Sequence, residues 1–196
     1  MICGAIMPDG ISPFLKVYIT SQTSMVVGYI GEGSSASIES MWESPFANDS
    51  LGGVAGAITA AAGKLAGGAQ AASGNTSKSD FNSLLIWEGQ QPPEFNLVVD
   101  FKAEMNAKIE VMDAIMTLKQ MASPELNAAM PGGRRPSPVI LDIGRRLKLM
   151  DVVIRSVNYP LDSPRTQEGY FIRSTVTLQC SGMSIQNQSD IPFMFI

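Results

Sequence analysis

The chain has 196 residues, long enough for one large domain or two small ones, and its 45% apolar and 16% charged side chains mark it as globular rather than disordered. It has no histidine, which excludes Ser–His–Asp and Cys–His catalysis and His-ligated zinc, and its two cysteines, Cys3 and Cys180, are too few for a disulfide framework or a zinc site. The net charge of −4 is uneven: residues 1–101 hold three basic and nine acidic side chains (net −6), and residues 102–196 hold eleven and nine (net +2). Either surface charge varies here by chance, or the two halves meet different partners.

The low charge fraction leaves much neutral surface, which favours burial in an assembly. The N-terminal MICGAIMPDG lacks a basic region and an apolar region of useful length, so no signal peptide is expected. The cysteines read as buried or free thiols of a protein made in a reducing compartment. No run reaches the length and apolarity of a membrane span. The expected organisation is a single domain over 1–196, with an insertion at about 45–82.

Pro8-Asp9-Gly10 is a turn signal. Strands are expected at FLKVYIT, with Leu15, Val17 and Ile19 on one face, and at SMVVGYI (Ser24–Ile30), its possible hairpin partner. Gly31–Ser40 is a loop by composition. Leu51–Gly74 is dominated by Ala and Gly, with Val54, Ile58 and Leu65 on one helical face. Three readings fit it: a flexible or interface-ordered insertion, a tightly packed helix, or a membrane-active segment disfavoured by Lys64.

LLIWEG (Leu84–Gly89) is a strand, and the prolines of QQPPE make a turn, so Leu84–Ala103 is expected to form an antiparallel pair. In Phe95–Ala103, Phe95, Leu97, Val99 and Phe101 alternate with Asn96, Val98, Asp100 and Lys102, which marks a strand with one buried face. The period then changes. Val111, Ile115, Leu118 and Ala122 form a helical stripe, thickened by Met112 and Met121 and stopped at Pro124. PGGRRPSP is a rigid basic loop. VILDIG is a strand, and Leu147–Tyr159 is a longer one with Val153, Val157 and Tyr159 on one face. Gly169–Cys180 alternates Ile172, Val176, Leu178 and Cys180 against Arg173, Thr175, Thr177 and Gln179. DIPFMFI is an edge strand or a docking segment. Strands outnumber helices, so the expected fold is mainly β: an antiparallel sandwich or split barrel with one flanking helix.

Catalytic and cofactor motifs are absent. Gly63-Lys64 cannot end a phosphate loop, because Ile58 and Leu65 replace the required Gly and Ser/Thr. Ser34 and Ser35 sit in no G-x-S-x-G. Glu39/Glu43 and Glu110/Asp113 are the paired acids, and Glu110/Asp113 reads as the solvated side of the helix. Arg134/Arg135 and Arg145/Arg146, with Lys148, bracket VILDIG. They suit phosphates, an acidic subunit surface or a solvated loop, and no aromatic residues are interleaved for base stacking. No cofactor or metal is expected.

The order of elements carries a resemblance. LLIWEG, a turn, FNLVVDFKA, a helix ending in LKQMASP, a Pro-rich loop, PVILDIG, DVVIRSVNY and EGYFIRSTVTLQC together resemble the tube-forming proteins of contractile phage tails and related injection machines. They are most similar to the tube-initiator or tube-baseplate members, between the central spike and the tail tube. The resemblance spans about residues 84–180 and rests on element order. It implies a β-sandwich or split barrel that assembles as six-fold rings, whose strands join into one inner β-barrel around a DNA-sized channel. It further implies a non-enzymatic virion protein made in the host bacterial cytoplasm, with spike, baseplate and tube proteins as partners. Viral DNA would pass without sequence-specific binding.

On that basis Asn96, Asp100, Lys102, Arg173, Thr175 and Thr177 are candidate channel-facing residues. Val54, Ile58, Leu65, Arg134, Arg135, Arg145 and Arg146 are candidate subunit-interface residues, and Val111, Ile115 and Leu118 are the helix core. Competing expectations are the main tail tube subunit, a generic β-rich binding or chaperone module, and a carboxylate-dependent wall-degrading hydrolase.

Overall fold

The computed structural model describes residues 2–4, 9–44, 84–128 and 131–195. They belong to two compact units, one of Met1–Ile38 with Pro92–Ile196 and one of Glu39–Gln91. The first unit holds strands β1 (Ile2–Gly4), β2 (Lys16–Thr20), β3 (Met25–Ile30) and β4 (Ser35–Ser37). The second holds β5 (Ser40–Glu43) and β6 (Ile86–Gln90). The chain then returns to the first unit with β7 (Glu94–Lys102), helix α1 (Asp113–Ala122), β8 (Val139–Ile143), β9 (Leu147–Asn158), β10 (Arg173–Gly182) and a last helical turn, α2 (Ile191–Met194).

The fold is mainly β, as expected. Alternation builds its wall: in β7, Phe95, Leu97, Val99 and Phe101 are buried, and in β10 Val176, Leu178 and Cys180 are buried. Each such side chain contributes about 1.5–3 kcal/mol by leaving water. The ladder runs β3–β2–β8–β9–β10–β7 and returns from β7 to β3, so six antiparallel strands close a barrel within one chain. Val17, Ile19, Val26, Leu141, Leu149 and Val152 complete its interior. The β2–β3 hairpin turns at Ser21–Ser24, where Ser21 N–H donates to the Ser24 carbonyl at 2.8 Å.

The closing seam is short. β7 meets β3 only at Tyr29↔Asp100 and Ile30↔Val99. The rest of the β3 edge is taken by β1, parallel to Met25–Val27, and the rest of the β7 edge by β4, opposite Glu94–Asn96. At Val98, between those pairings, Ser34 stands in for a strand. Its Oγ accepts the Val98 N–H at 3.0 Å, and the Gly31 N–H donates to the Val98 carbonyl at 2.7 Å. Gly28 lies beside the seam, where a Cβ would fall 2.3 Å from Val99 Cγ1.

Helix α1 packs against β9, β1 and β3, and together with Val111 from the turn leading into it buries Ala114, Ile115, Leu118 and Met121 in the core. The expected Val111, Ile115 and Leu118 stripe is therefore its inner face. Met112, expected to thicken that stripe, is instead exposed. The helix is entered through a π-turn, Lys108–Met112, closed by the Asp113 N–H on the Lys108 carbonyl. The wider turn re-aims one residue, and both Glu110 and Val111 face inward.

Other expectations are corrected. LLIWEG does not pair with the strand after it. β6 pairs with β5, Trp42 opposite Trp87, while β7 pairs with β10, β3 and β4. Pro92 and Pro93 fix φ near −65°, so the short link cannot adopt the positive-φ reversal of a tight hairpin. The Gly31–Ser40 loop contains β4. Leu15 is exposed in a 3-10 turn, Pro13–Leu15, rather than facing in from a strand. In β9 the inward residues are Leu149, Val152 and Ile154 instead of Val153. Register shifts against β8 and against β10 each insert an extra β9 residue and reverse the alternation. The first sits at Asp151, whose φ is 55°. After the second, Val157 and Tyr159 pack on the core as expected. Ile172 is exposed. The C-terminal segment is neither strand nor extended arm: it forms α2 and a single bridge from Phe195 to Leu147. Cys180 is a buried free thiol, which burial pushes up to about 12. The insertion expected at about 45–82 falls on residues outside those described.

Candidate functional site

β7 and β10 run antiparallel in the register Lys102↔Arg173, Asp100↔Thr175, Val98↔Thr177 and Asn96↔Gln179. Their inward positions are the core residues above, so the intervening side chains share the opposite face. All six candidate channel residues, Asn96, Asp100, Lys102, Arg173, Thr175 and Thr177, therefore lie on the outer face of one two-stranded ribbon. Thr175 donates its hydroxyl to Asp100 Oδ1, and the Arg173 guanidinium lies 3.9 Å from Asp100 Oδ2. Lys102 pairs with Glu104 at 2.7 Å, and Arg155 on β9 pairs with Glu94 at 2.6 Å. Ser156 and Gln179 are hydrogen-bonded beside them at 3.2 Å.

Each cation of this face thus has a carboxylate. These are exposed pairs, each contributing about 0–1 kcal/mol. Their effect is on the field rather than on stability: the face is polar and hydrated, and its charges cancel locally. The ribbon continues onto β4, whose Ser35, Ala36 and Ser37 are exposed and whose far edge has no strand beside it among the described residues.

The basic candidates do not form one patch. Arg134 and Arg135 precede β8, and Arg145 and Arg146 follow it, so they sit at opposite ends of a five-residue strand. Arg134 is held by its backbone, exchanging hydrogen bonds with Glu125 at 2.7 and 2.9 Å. Arg145 is tied to Asp142 at 2.8 Å and stacks 3.8 Å from the Tyr18 ring centre. Arg146 lies over the Phe14 ring. Both therefore pin the β8–β9 turn to β2 and the 3-10 turn before it. Val54, Ile58 and Leu65 lie outside the described residues. Val111, Ile115 and Leu118 are buried, as assigned.

Glu110 is not on a solvated face. It is 5% exposed, and its Oε2 accepts the backbone N–H groups of Glu104, Met105 and Asn106 at 2.6, 3.2 and 3.4 Å. The carboxylate organises the turn that joins β7 to α1. Glu110→Gln keeps the shape but loses the charge-assisted bonds. The expected result is a loss of about 1–3 kcal/mol, read as a lower urea midpoint with an unchanged slope.

A second cluster had no strong sequence signal. Asp9 accepts from Lys16 Nζ at 2.9 Å and from the Tyr29 hydroxyl, and Lys16 is buried despite its outward place in β2. The one available hint is register, which sets Lys16 directly across from Tyr29 in the hairpin. Burial alone raises the Asp9 carboxyl. The hydrogen bonds from Tyr29, Lys16 and the Ile11 N–H, with the Lys16 charge, outweigh it and hold Asp9 at about 2, below its ordinary 3.8. Burial and Asp9 together push Tyr29 upward. A depressed carboxyl stabilises the fold above its unfolded value and loses that contribution as pH falls through the folded one. The stability gap between the native chain and Asp9→Asn is therefore expected to be full above pH 3.8 and to close as pH falls to about 2. Denaturant titrations at stepped pH measure it.

Among the described residues, no group of three or more Cys, Asp or Glu side chains is placed to hold a metal ion, and no helix is long and apolar enough to cross a membrane. No protein-family model matches this chain, and no curated protein is significantly similar to it.

Proposed function

We propose that the chain is a structural subunit of a contractile phage tail: a tube initiator or baseplate hub-tube component that joins the central spike to the tail tube and forms part of the DNA conduit. The observation that carries this reading is the β7–β10 ribbon, with core on one face and a broad, charge-compensated polar wall on the other. A polyanion sliding along such a wall meets no net field to bind to, which suits passage without sequence-specific contact. The barrel closes inside one chain, so a ring is not needed to hide open strand edges. The ribbon's free border at β4 is where a neighbouring subunit's strand would extend the wall. On this reading the subunits form a six-fold ring in the virion, with the spike above or below and tube proteins on the other side.

Light scattering and negative-stain imaging of the purified chain, alone and with candidate tube or spike proteins, test the proposal. Rings or a stable tube-cap complex support it. A stable monomer that forms no ring and binds no tube or spike protein sinks it.

A further inference from the structure

Helix α1 carries a second apolar stripe besides the one it buries. Met112 and Met116, one turn apart, and Ile109 in the π-turn before them are each about 40–50% exposed. Met112 and Met116 form one wall of a groove of about 510 Å³, whose other wall is Leu161 and Phe171 from the segment between β9 and β10. Its rim bears two cations and no carboxylate: Lys119, against Tyr159, and Arg165, over Phe171. Neither makes an ion pair with a carboxylate among the described residues.

We infer that this groove is a docking site for a partner protein, specifically an amphipathic segment with an apolar face and an acidic edge. Two observations select that occupant. Exposed apolar side chains are not confined to the groove: Ile109 in the π-turn is 47% exposed, and Met105 in the turn before it is 80% exposed. A small amphiphile would need only the groove, whereas an amphipathic protein segment lays several apolar side chains over a larger surface. The rim then sets the sign of the partner's charge, since the charged side chains that line the groove, Lys119 and Arg165, are both positive. Three exposed methionines supply a surface that adapts to different side chains. The site differs from the β7–β10 ribbon's polar wall in chemistry, and it does not depend on whether the chain forms a ring.

The test is selection of random peptides of about 16 residues, about 24 Å long if helical, displayed against the full chain. The expected result is enrichment of apolar residues at helical or alternate spacing together with Asp and Glu, and depletion of Lys and Arg. Met116→Asp should weaken the selected peptides at least tenfold, with an unchanged circular dichroism spectrum. Lys119→Glu should shift the selected charge towards Lys and Arg, and it stays readable even if Arg165 proves structural. Three results overturn the inference: no enrichment, enrichment indifferent to charge, or binding unaffected by Met116→Asp. It is equally overturned if sedimentation shows Met116→Asp dissolving a self-assembly of the chain, because the occupant is then a second copy.

Discussion

Ile115→Asp is expected to leave the chain without a cooperative fold. Ile115 is 3% exposed at the centre of the inner stripe of α1. Removing its side chain costs about 2–5 kcal/mol in transfer and cavity terms. A carboxylate placed there sits among apolar side chains, which adds several kcal/mol unless it takes up a proton or turns outward to Lys119, one helical turn on at the groove's rim. Against a typical total of about 5–15 kcal/mol, the sum removes most or all of the stability. Lys102→Ala is the contrast. Its side chain is solvated and paired only with Glu104, so the expected change is within about 1 kcal/mol. Thermal melts followed by circular dichroism separate the two: a lost transition for the first, a nearly superimposable one for the second. A normal melt for Ile115→Asp would mean that the helix is not packed as described.

The barrel seam gives the second large effect. In Gly28→Val the new Cβ lands 2.3 Å from Val99 Cγ1 and 3.0 Å from the Phe101 ring. Val99 is branched and fully buried, with nowhere to retreat. Valine is the better strand former, by up to about 1 kcal/mol, but overpacking at a closed site costs about 1–3 kcal/mol or more. The clash should win. Because it pushes β3 away from β7 beside their two shared residue pairs, the damage should appear first at the seam. Amide exchange at Tyr29, Ile30 and Val99 is expected to speed up, along with a urea midpoint lowered by about 2–3 kcal/mol in stability. A midpoint equal to or above the native one would contradict this close approach.

The elements legible in the sequence are those that obey a single period. Phe95–Phe101 and Val176–Cys180 alternate without interruption, and their inner and outer faces follow from counting, as does the gathering of six polar candidates on one side. Legibility failed where geometry inserts or withholds one residue. β9 reads as a strand, yet its two register shifts turn Val153 out and Ile154 in. The π-turn before α1 does the same to Glu110, since a 3.6-residue period places that carboxylate in water. Non-local partners were the other blind spot. Nothing in LLIWEG names SMWE as its partner, and a two-residue closure cannot be found from pattern alone. Lys16 looked like an ordinary outward lysine because the residue covering it, Asp9, lies in a turn with no periodicity.

The position of β10 in the ladder has a consequence for how the chain is made. It links β9 to β7, and it is the last of the six barrel strands to be made. A ribosome releases β2 and β3 first, but their barrel cannot close until β10 has emerged. Until then β7 and β9 each present an unpaired edge with apolar side chains beside it, which is the aggregation-prone state of a slow, non-local β topology. Assembly of the native barrel thus waits on its last strand, and the nascent chain's safety depends on how long those two edges stay apart from other chains.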